Sequence, residues 1–181
     1  MLVVRALIVV TIALSTTTAC QMNTQVNTIR TAQAVDLQRF MGEWYVIGNI
    51  PTFIETKAYN SLETYALNED GTIDTTFEFN NGGFDGKRKR YNPKGFVRSN
   101  TGNAVWGMQF IWPFKAEYRI LYVDDDYQTT IIGRTARDYV WIMSRTPSLP
   151  DDVYTDLVQR IEEDGYDLSN LRKVPQQWDA T

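Results

Sequence analysis

Between Gly42 and Arg145 the chain repeats one pattern eight times: a short run rich in Val, Ile, Thr, Tyr, Phe and Trp, then a turn rich in Gly, Asn, Asp or Pro. Runs of this kind suit half-buried strands, and regular turns between them suit hairpins. The runs fall at 42–48, 61–66, 72–79, 87–97, 104–112, 118–123, 128–134 and 139–145. Asn68-Glu69-Asp70-Gly71 and Asn81-Gly82-Gly83 are hairpin turns. Pro93 interrupts the fourth run, as at an edge or bulge, and Pro113 ends the fifth. Beyond Pro147 the period changes. Val153, Leu157, Val158 and Ile161 form one apolar stripe on a helix over 151–163, and Gly165 stops it. A single helical turn over 36–41, capped by Asp36, precedes the first strand. Eight strands followed by one amphipathic helix predict an all-β fold: an eight-stranded antiparallel up-and-down β-barrel with a C-terminal α-helix packed outside.

With 181 residues, the chain is long enough for one domain with a substantial core. Several functions are excluded early. There is no histidine, which removes Ser-His-Asp and Cys-His catalysis and the commonest zinc ligand sets. A net charge of −4 implies no basic face, so nucleic acid is not an expected partner. The short run Lys87-Arg88-Lys89-Arg90 reads as a solvated strand edge, or more sharply as a contact for anionic headgroups. No cofactor or metal is expected.

The N-terminus is an address. Arg5 and the apolar stretch from Ala6 to Leu14 have the makings of an export signal, too short to span a bilayer as a helix. Small residues then run into Cys20, the single cysteine, which has no partner for an intrachain disulfide. The junction resembles a bacterial lipobox, with Thr17 where that pattern usually has Leu. The resemblance implies a signal peptide over 1–19, lipidation of Cys20 and, with Gln21 following, an outer-membrane anchor. An ordinary cleavable signal and a soluble periplasmic protein are the alternative. The polar stretch that follows completes a tether over 20–34, leaving 35–181 as the folded domain.

Three motifs carry a resemblance across 35–177. Gly42-Glu43-Trp44-Tyr45 contains a G-x-W at the start of the first strand; Asp124-Asp125-Asp126-Tyr127 is a variant T-D-Y turn; Arg145 ends the last strand. In this order and at these separations the chain resembles the lipocalin family, and within it the bacterial outer-membrane lipocalins related to apolipoprotein D. The resemblance implies that Gly42 admits a tight entry to the barrel. It also implies that Trp44 plugs the closed end under the Arg145 guanidinium.

The same resemblance implies a hollow barrel, with Tyr65 and Trp141 facing the pocket. Alternation extends this lining to Tyr139 and Met143, to Phe77 and Phe79, to Met108, Phe110 and Trp112, and to Leu121. Such rings and thioethers suit an acyl chain. Arg119, in register with Leu121, is a candidate for the carboxylate or phosphate of a fatty acid or lysophospholipid; Glu63, in register with Tyr65, is its alternative partner across the barrel. The expected function is therefore binding of one small lipid for storage or transport at the outer membrane, with no catalysis. An enzyme using Glu63 or Glu78 as a general acid or base is the runner-up. An envelope platform with a filled barrel is the third reading. A homodimer that reshapes the open end is compatible with the sequence.

Overall fold

A computed structural model describes residues 28–178. The signal segment, Cys20 and the tether up to residue 27 lie outside the described residues. The chain order is α1 (Leu37–Phe40), β1 (Gly42–Ile50), β2 (Ala58–Leu67), β3 (Thr72–Asn81), β4 (Lys87–Tyr91), β5 (Lys94–Val97), β6 (Val105–Ile111), β7 (Phe114–Val123), β8 (Thr129–Gly133), β9 (Val140–Ser144), α2 (Asp151–Glu163), a 3₁₀ turn (Leu168–Asn170) and β10 (Arg172–Lys173).

From β1 to β9 successive strands pair antiparallel, except that β4 and β5 each pair with β3; β10 adds to β1, and β9 returns to β1 through Tyr45↔Ser144 to Ile50↔Val140, which closes the sheet. β4 and β5 are one strand cut by Asn92-Pro93: both pair with β3, but only β5 goes on to pair with β6. The fold is thus an eight-stranded barrel. Proline has no N–H for a ladder, so the cut falls where Pro93 stands. The sequence places the start of β7 at 118, but the strand begins at Phe114, directly after a tight β6–β7 turn at Trp112-Pro113.

Two apolar layers hold the barrel together. The inner one, with Phe40, Trp44, Tyr65, Trp106 and Met143, fills the closed end. The outer one lies between the sheet and α2, where Leu157 and Ile161 of the helix meet Ile47, Ile131 and Ile142. Gly165, at φ +85°, ends the helix in the left-handed region that glycine enters without strain.

The closed end is bonded throughout. Asp36 caps α1 by accepting from the N–H groups of Gln38 and Arg39. The Trp44 indole donates to the Phe40 carbonyl at 2.8 Å. The Arg145 guanidinium lies 3.8 Å from the centre of the Trp44 ring and donates to the carbonyls of Glu43, Arg39 and Met41 at 2.6, 2.8 and 2.8 Å. Partial burial lowers the Arg145 pKa to about 10, still well above neutrality. Gly42 has φ +92°, and a Cβ there would stand 3.4 Å from Arg145 Nη1. In the turn between β7 and β8, the Asp124 carboxylate accepts from the Thr129 hydroxyl and from the backbone of Gln128, Thr129 and Asp126, and against burial these bonds, the hydroxyl foremost, hold its pKa down.

One expectation is corrected by the packing. The sequence assigns 28–34 to a tether, yet this segment runs along the barrel. Ile29 is buried in the outer layer, Ala32 N–H donates to the Ile120 carbonyl, and Arg30 pairs with Asp164 at 2.7 Å. A mostly polar composition concealed it because one isoleucine and a few backbone bonds do the anchoring.

Candidate functional site

Above the packed floor the barrel opens into a cavity of about 480 Å³, within the usual size range of small-molecule sites. Its walls come from six strands or strand ends: Glu63 on β2, Thr75 and Phe77 on β3, Tyr91 to Pro93 at the β4–β5 cut, Met108 and Phe110 on β6, Ala116 and Tyr118 on β7, and Trp141 on β9. The β1–β2 loop covers one side with Thr52, Phe53, Ile54 and Glu55. Glu117, Arg134 and Tyr139 stand near the mouth. Most of the wall is aromatic or aliphatic, which favours apolar guests.

The rim is unusually apolar for a surface. Phe53 is 85% exposed, Ile111 73%, Trp112 82% and Phe114 77%. All four belong to the β1–β2 loop or the β6–β7 hairpin, at the open end. A lone exposed hydrophobe needs no explanation, but a cluster beside a cavity mouth is a feature of binding surfaces.

Two carboxyls interrupt the apolar interior. Glu55 is 1% exposed and is saturated with donors: Thr52 N–H at 3.0 Å, Thr52 hydroxyl at 2.8 Å, Asn49 side chain at 3.1 Å and the Trp141 indole at 3.1 Å. Its own carbonyl accepts from Arg172 at 2.6 Å. Glu55 therefore fastens the β1–β2 loop to β1, β9 and the C-terminal segment. Burial raises its pKa, outweighing the hydrogen bonds that lower it.

Glu63 is the second. It accepts from the Tyr65 hydroxyl, which lies 2.7 Å from the Tyr118 hydroxyl. Tyr118 in turn stacks on Trp106 at 5.0 Å, so this group rests on the packed floor. Glu63 is partly buried and lines the cavity. Burial, with the Glu55 carboxyl nearby as a smaller cause, pushes the Glu63 carboxyl up to about 8. Burial and the Glu63 charge raise Tyr118 well above its ordinary value.

Of the residues expected to line the pocket, Phe77, Met108, Phe110, Tyr139 and Trp141 do so. The others lie elsewhere. Tyr65 and Met143 are packed into the solid floor. Phe79 is buried between Phe77 and Tyr91, at 5.3 and 6.2 Å between ring centres, and does not reach the cavity. Trp112 is at the tip of the β6–β7 hairpin, past the end of the wall. Leu121 belongs to the outer layer under α2. Arg119 points away from the cavity, where it pairs with Glu117 at 2.7 Å and donates to the Thr31 hydroxyl at 2.8 Å.

Both errors on β7 have one cause. Tyr118 and Ile120 face inward, and the ladder slips between Ile120 and Tyr122, so alternation counted from Leu121 inverts the strand. Glu78 also faces outward, where Arg90 holds it at 2.8 Å, so it is no cavity acid. The same pairing accounts for part of the Lys87–Arg90 run: Arg88 and Arg90 both reach Glu78. Glu55 was invisible to alternation because it lies in a loop, although a Glu two residues after an exposed Phe is a weak signal at best.

A profile for a lipocalin-like domain matches residues 35–176. Temperature-induced lipocalin-1 of Arabidopsis thaliana is 34% identical over 165 residues, covering 84% of this chain and 86% of that protein. The outer membrane lipoprotein Blc of Escherichia coli K12 is 26% identical over 168 residues, covering 87% and 89%. Among solved structures, insecticyanin of the tobacco hornworm Manduca sexta superposes with a TM-score of 0.64 at 15% identity, over 81% of this chain and 83% of that one. That last likeness speaks to the fold alone.

Proposed function

Because this chain belongs to the lipocalin-like family, whose members bind small hydrophobic molecules, we propose that it holds a single-chain lipid of the fatty acid or lysophospholipid kind in its barrel. The observation that carries the reading is a largely apolar cavity of about 480 Å³ opening at an apolar rim. Transfer of an acyl chain from water to such a wall is favourable by about 0.8 kcal/mol per methylene, or roughly fourfold in affinity. No covalent step is needed: burial does the work.

The cellular setting is part of the same proposal. Cys20 becomes lipidated and anchors the chain at a bacterial outer membrane, in keeping with the small residues before it and with the similarity to an outer membrane lipoprotein. Two or more acyl chains on one cysteine give a durable anchor where a single chain gives a marginal one. An apolar rim near a lipid surface would shorten the path of a guest between bilayer and barrel.

Native mass spectrometry of the folded protein with a chain-length series of fatty acids and lysophospholipids tests the reading. The expected result is one adduct per chain, tightening with each added methylene until the cavity is full. Absence of any adduct from folded protein across the series would overturn it.

A further inference from the structure

Among the described residues that line the cavity, the one cation is Arg134, near the mouth. The polar groups at the floor are a carboxyl and a hydroxyl: Glu63, which accepts from the Tyr65 hydroxyl and lines the cavity, and the Thr75 hydroxyl, which is 3% exposed, lines the cavity and has no hydrogen-bond partner among the described residues. Glu63 stands opposite Phe77 and Tyr65 opposite Thr75 on the β2–β3 ladder, so Glu63 and Thr75 are diagonal neighbours on one face. A buried polar atom without a partner is costly, and the Thr75 hydroxyl beside the Glu63 carboxyl in a guest cavity marks a place a polar group of a guest can fill.

We propose that the floor of the cavity is the seat for the cationic nitrogen of a single-chain amine, which enters polar end first, its ammonium on Glu63 and a neighbouring hydroxyl, where it has one, on Thr75. This rests on the reading of the cavity as a site for a single-chain lipid and departs from it in the head group, with a cationic nitrogen where a fatty acid would bring a carboxylate. An ammonium brings three donors and a positive charge to a carboxyl that has lost its water, and so satisfies both needs at once. A carboxylate guest brings acceptors and a like charge. An alcohol meets the hydrogen-bonding need alone.

The surroundings support the charge argument. The titratable and charged groups that face Glu63 are Tyr65 on its own strand, Tyr118 and Glu117 on β7, Tyr91 on β4, Glu55 from the β1–β2 loop, and Arg134 and Tyr139 near the mouth. From β1, β3, β6 and β9 come Trp44, Phe77, Met108 and Trp141, none of them charged. Among the described residues the single cation in the set is Arg134, whose Nε lies 3.0 Å from the Asp138 carboxylate but without hydrogen-bond geometry. With the Glu63 carboxyl raised to about 8, the free cavity is mostly protonated at neutral pH and becomes anionic above it. An alkyl ammonium and an alkyl carboxylate keep their own charges across that interval. A change in their relative affinity between pH 6 and pH 9 therefore reports the protein.

The experiment titrates the purified protein with decylamine, decanol and decanoate by calorimetry at pH 6 and pH 9, then repeats it with Glu63→Gln and with Thr75→Val. The expected result is a preference of at least tenfold for decylamine over decanoate at pH 9. It shrinks several-fold at pH 6 and is lost in Glu63→Gln, while decanol binding by that variant stays within about threefold. Thr75→Val keeps the preference. Equal or tighter binding of decanoate at pH 9, or a preference that does not move with pH in the native protein, would overturn the proposal even if Glu63→Gln failed to fold. Binding of all three ligands without discrimination would overturn it and leave the lipid-binding reading standing. Binding of none would overturn both.

Discussion

The two ends of the barrel are built on opposite terms. At the closed end polar groups are answered: the Arg145 guanidinium by five carbonyls and an indole face, the Trp44 indole by Phe40, the α1 amides by Asp36. At the open end apolar rings face water, and at the cavity floor the Glu63 carboxyl and the unpaired Thr75 hydroxyl line a largely apolar space. The first arrangement minimises free energy. The second leaves it unspent until something else arrives, which is what a binding site requires. The difference teaches where stability and function reside, and substitutions at the two ends separate them.

The largest effect is expected at the plug. Trp44→Ala removes a fully buried ring and leaves the stacked guanidinium over a void, at a cost of about 3–5 kcal/mol in urea unfolding. A loss below about 1 kcal/mol would mean that the closed end is not where the fold is held.

Next comes Glu55, which belongs to the open end by position and to the closed end by character. Glu55→Ala strands the donors of Asn49, Trp141 and Thr52 and frees the β1–β2 loop. About 1–3 kcal/mol of stability should go, and hydrogen exchange across 51–57 should speed. Unchanged exchange there would dissolve its role as a fastening.

A smaller effect separates Glu63 from it. A carboxyl whose pKa is raised on folding keeps its proton in the folded chain after the unfolded chain has lost it. Its contribution to stability therefore falls as pH rises from the ordinary carboxylate range toward about 8, then levels off. Glu63→Gln removes that slope, so the variant should gain on the native protein as pH rises from 5 toward 8, with no further gain above it. A difference that does not vary with pH would place Glu63 in contact with bulk water.

The smallest effect belongs to the rim. Phe53→Ser with Trp112→Ser should leave stability within about 0.5 kcal/mol, because neither ring is buried. Transfer of a lipid from vesicles should nevertheless slow. A large loss of stability would show these rings packing on something.

How far the sequence reveals this molecule follows the same division. Glycine turns, strand periods and the helix stripe are local, and they locate the eight strands, α1 and α2. Trp44 and Arg145 meet because both are tied to strand ends. The cavity wall is set by which way each strand faces, and there alternation suffices only on an unbroken ladder. It serves on β3 for Phe77 and on β9 for Trp141. It fails on β7, where the slip after Ile120 turns Arg119 and Leu121 outward, and at Trp112, which lies beyond the last paired wall residue. Glu55 has no period to betray it: a loop residue becomes a cavity residue only through the fold of 51–57 over the barrel. The packing of 28–34 rests on contacts with Ile120 and Asp164, distant in the chain, which no local pattern records.

If a lipid binds in the hollow above the floor, a larger side chain in the wall should exclude it. Met108, on β6 and in the cavity wall, allows that to be tested with one side chain. Calorimetric titration of decanol into the native protein and into Met108→Trp compares an open cavity with one occupied by an indole. The account predicts one site in the native protein and at least a tenfold loss of affinity in the variant, with thermal unfolding changed by no more than a few degrees. Equal affinity in both proteins would place the ligand elsewhere and contradict it.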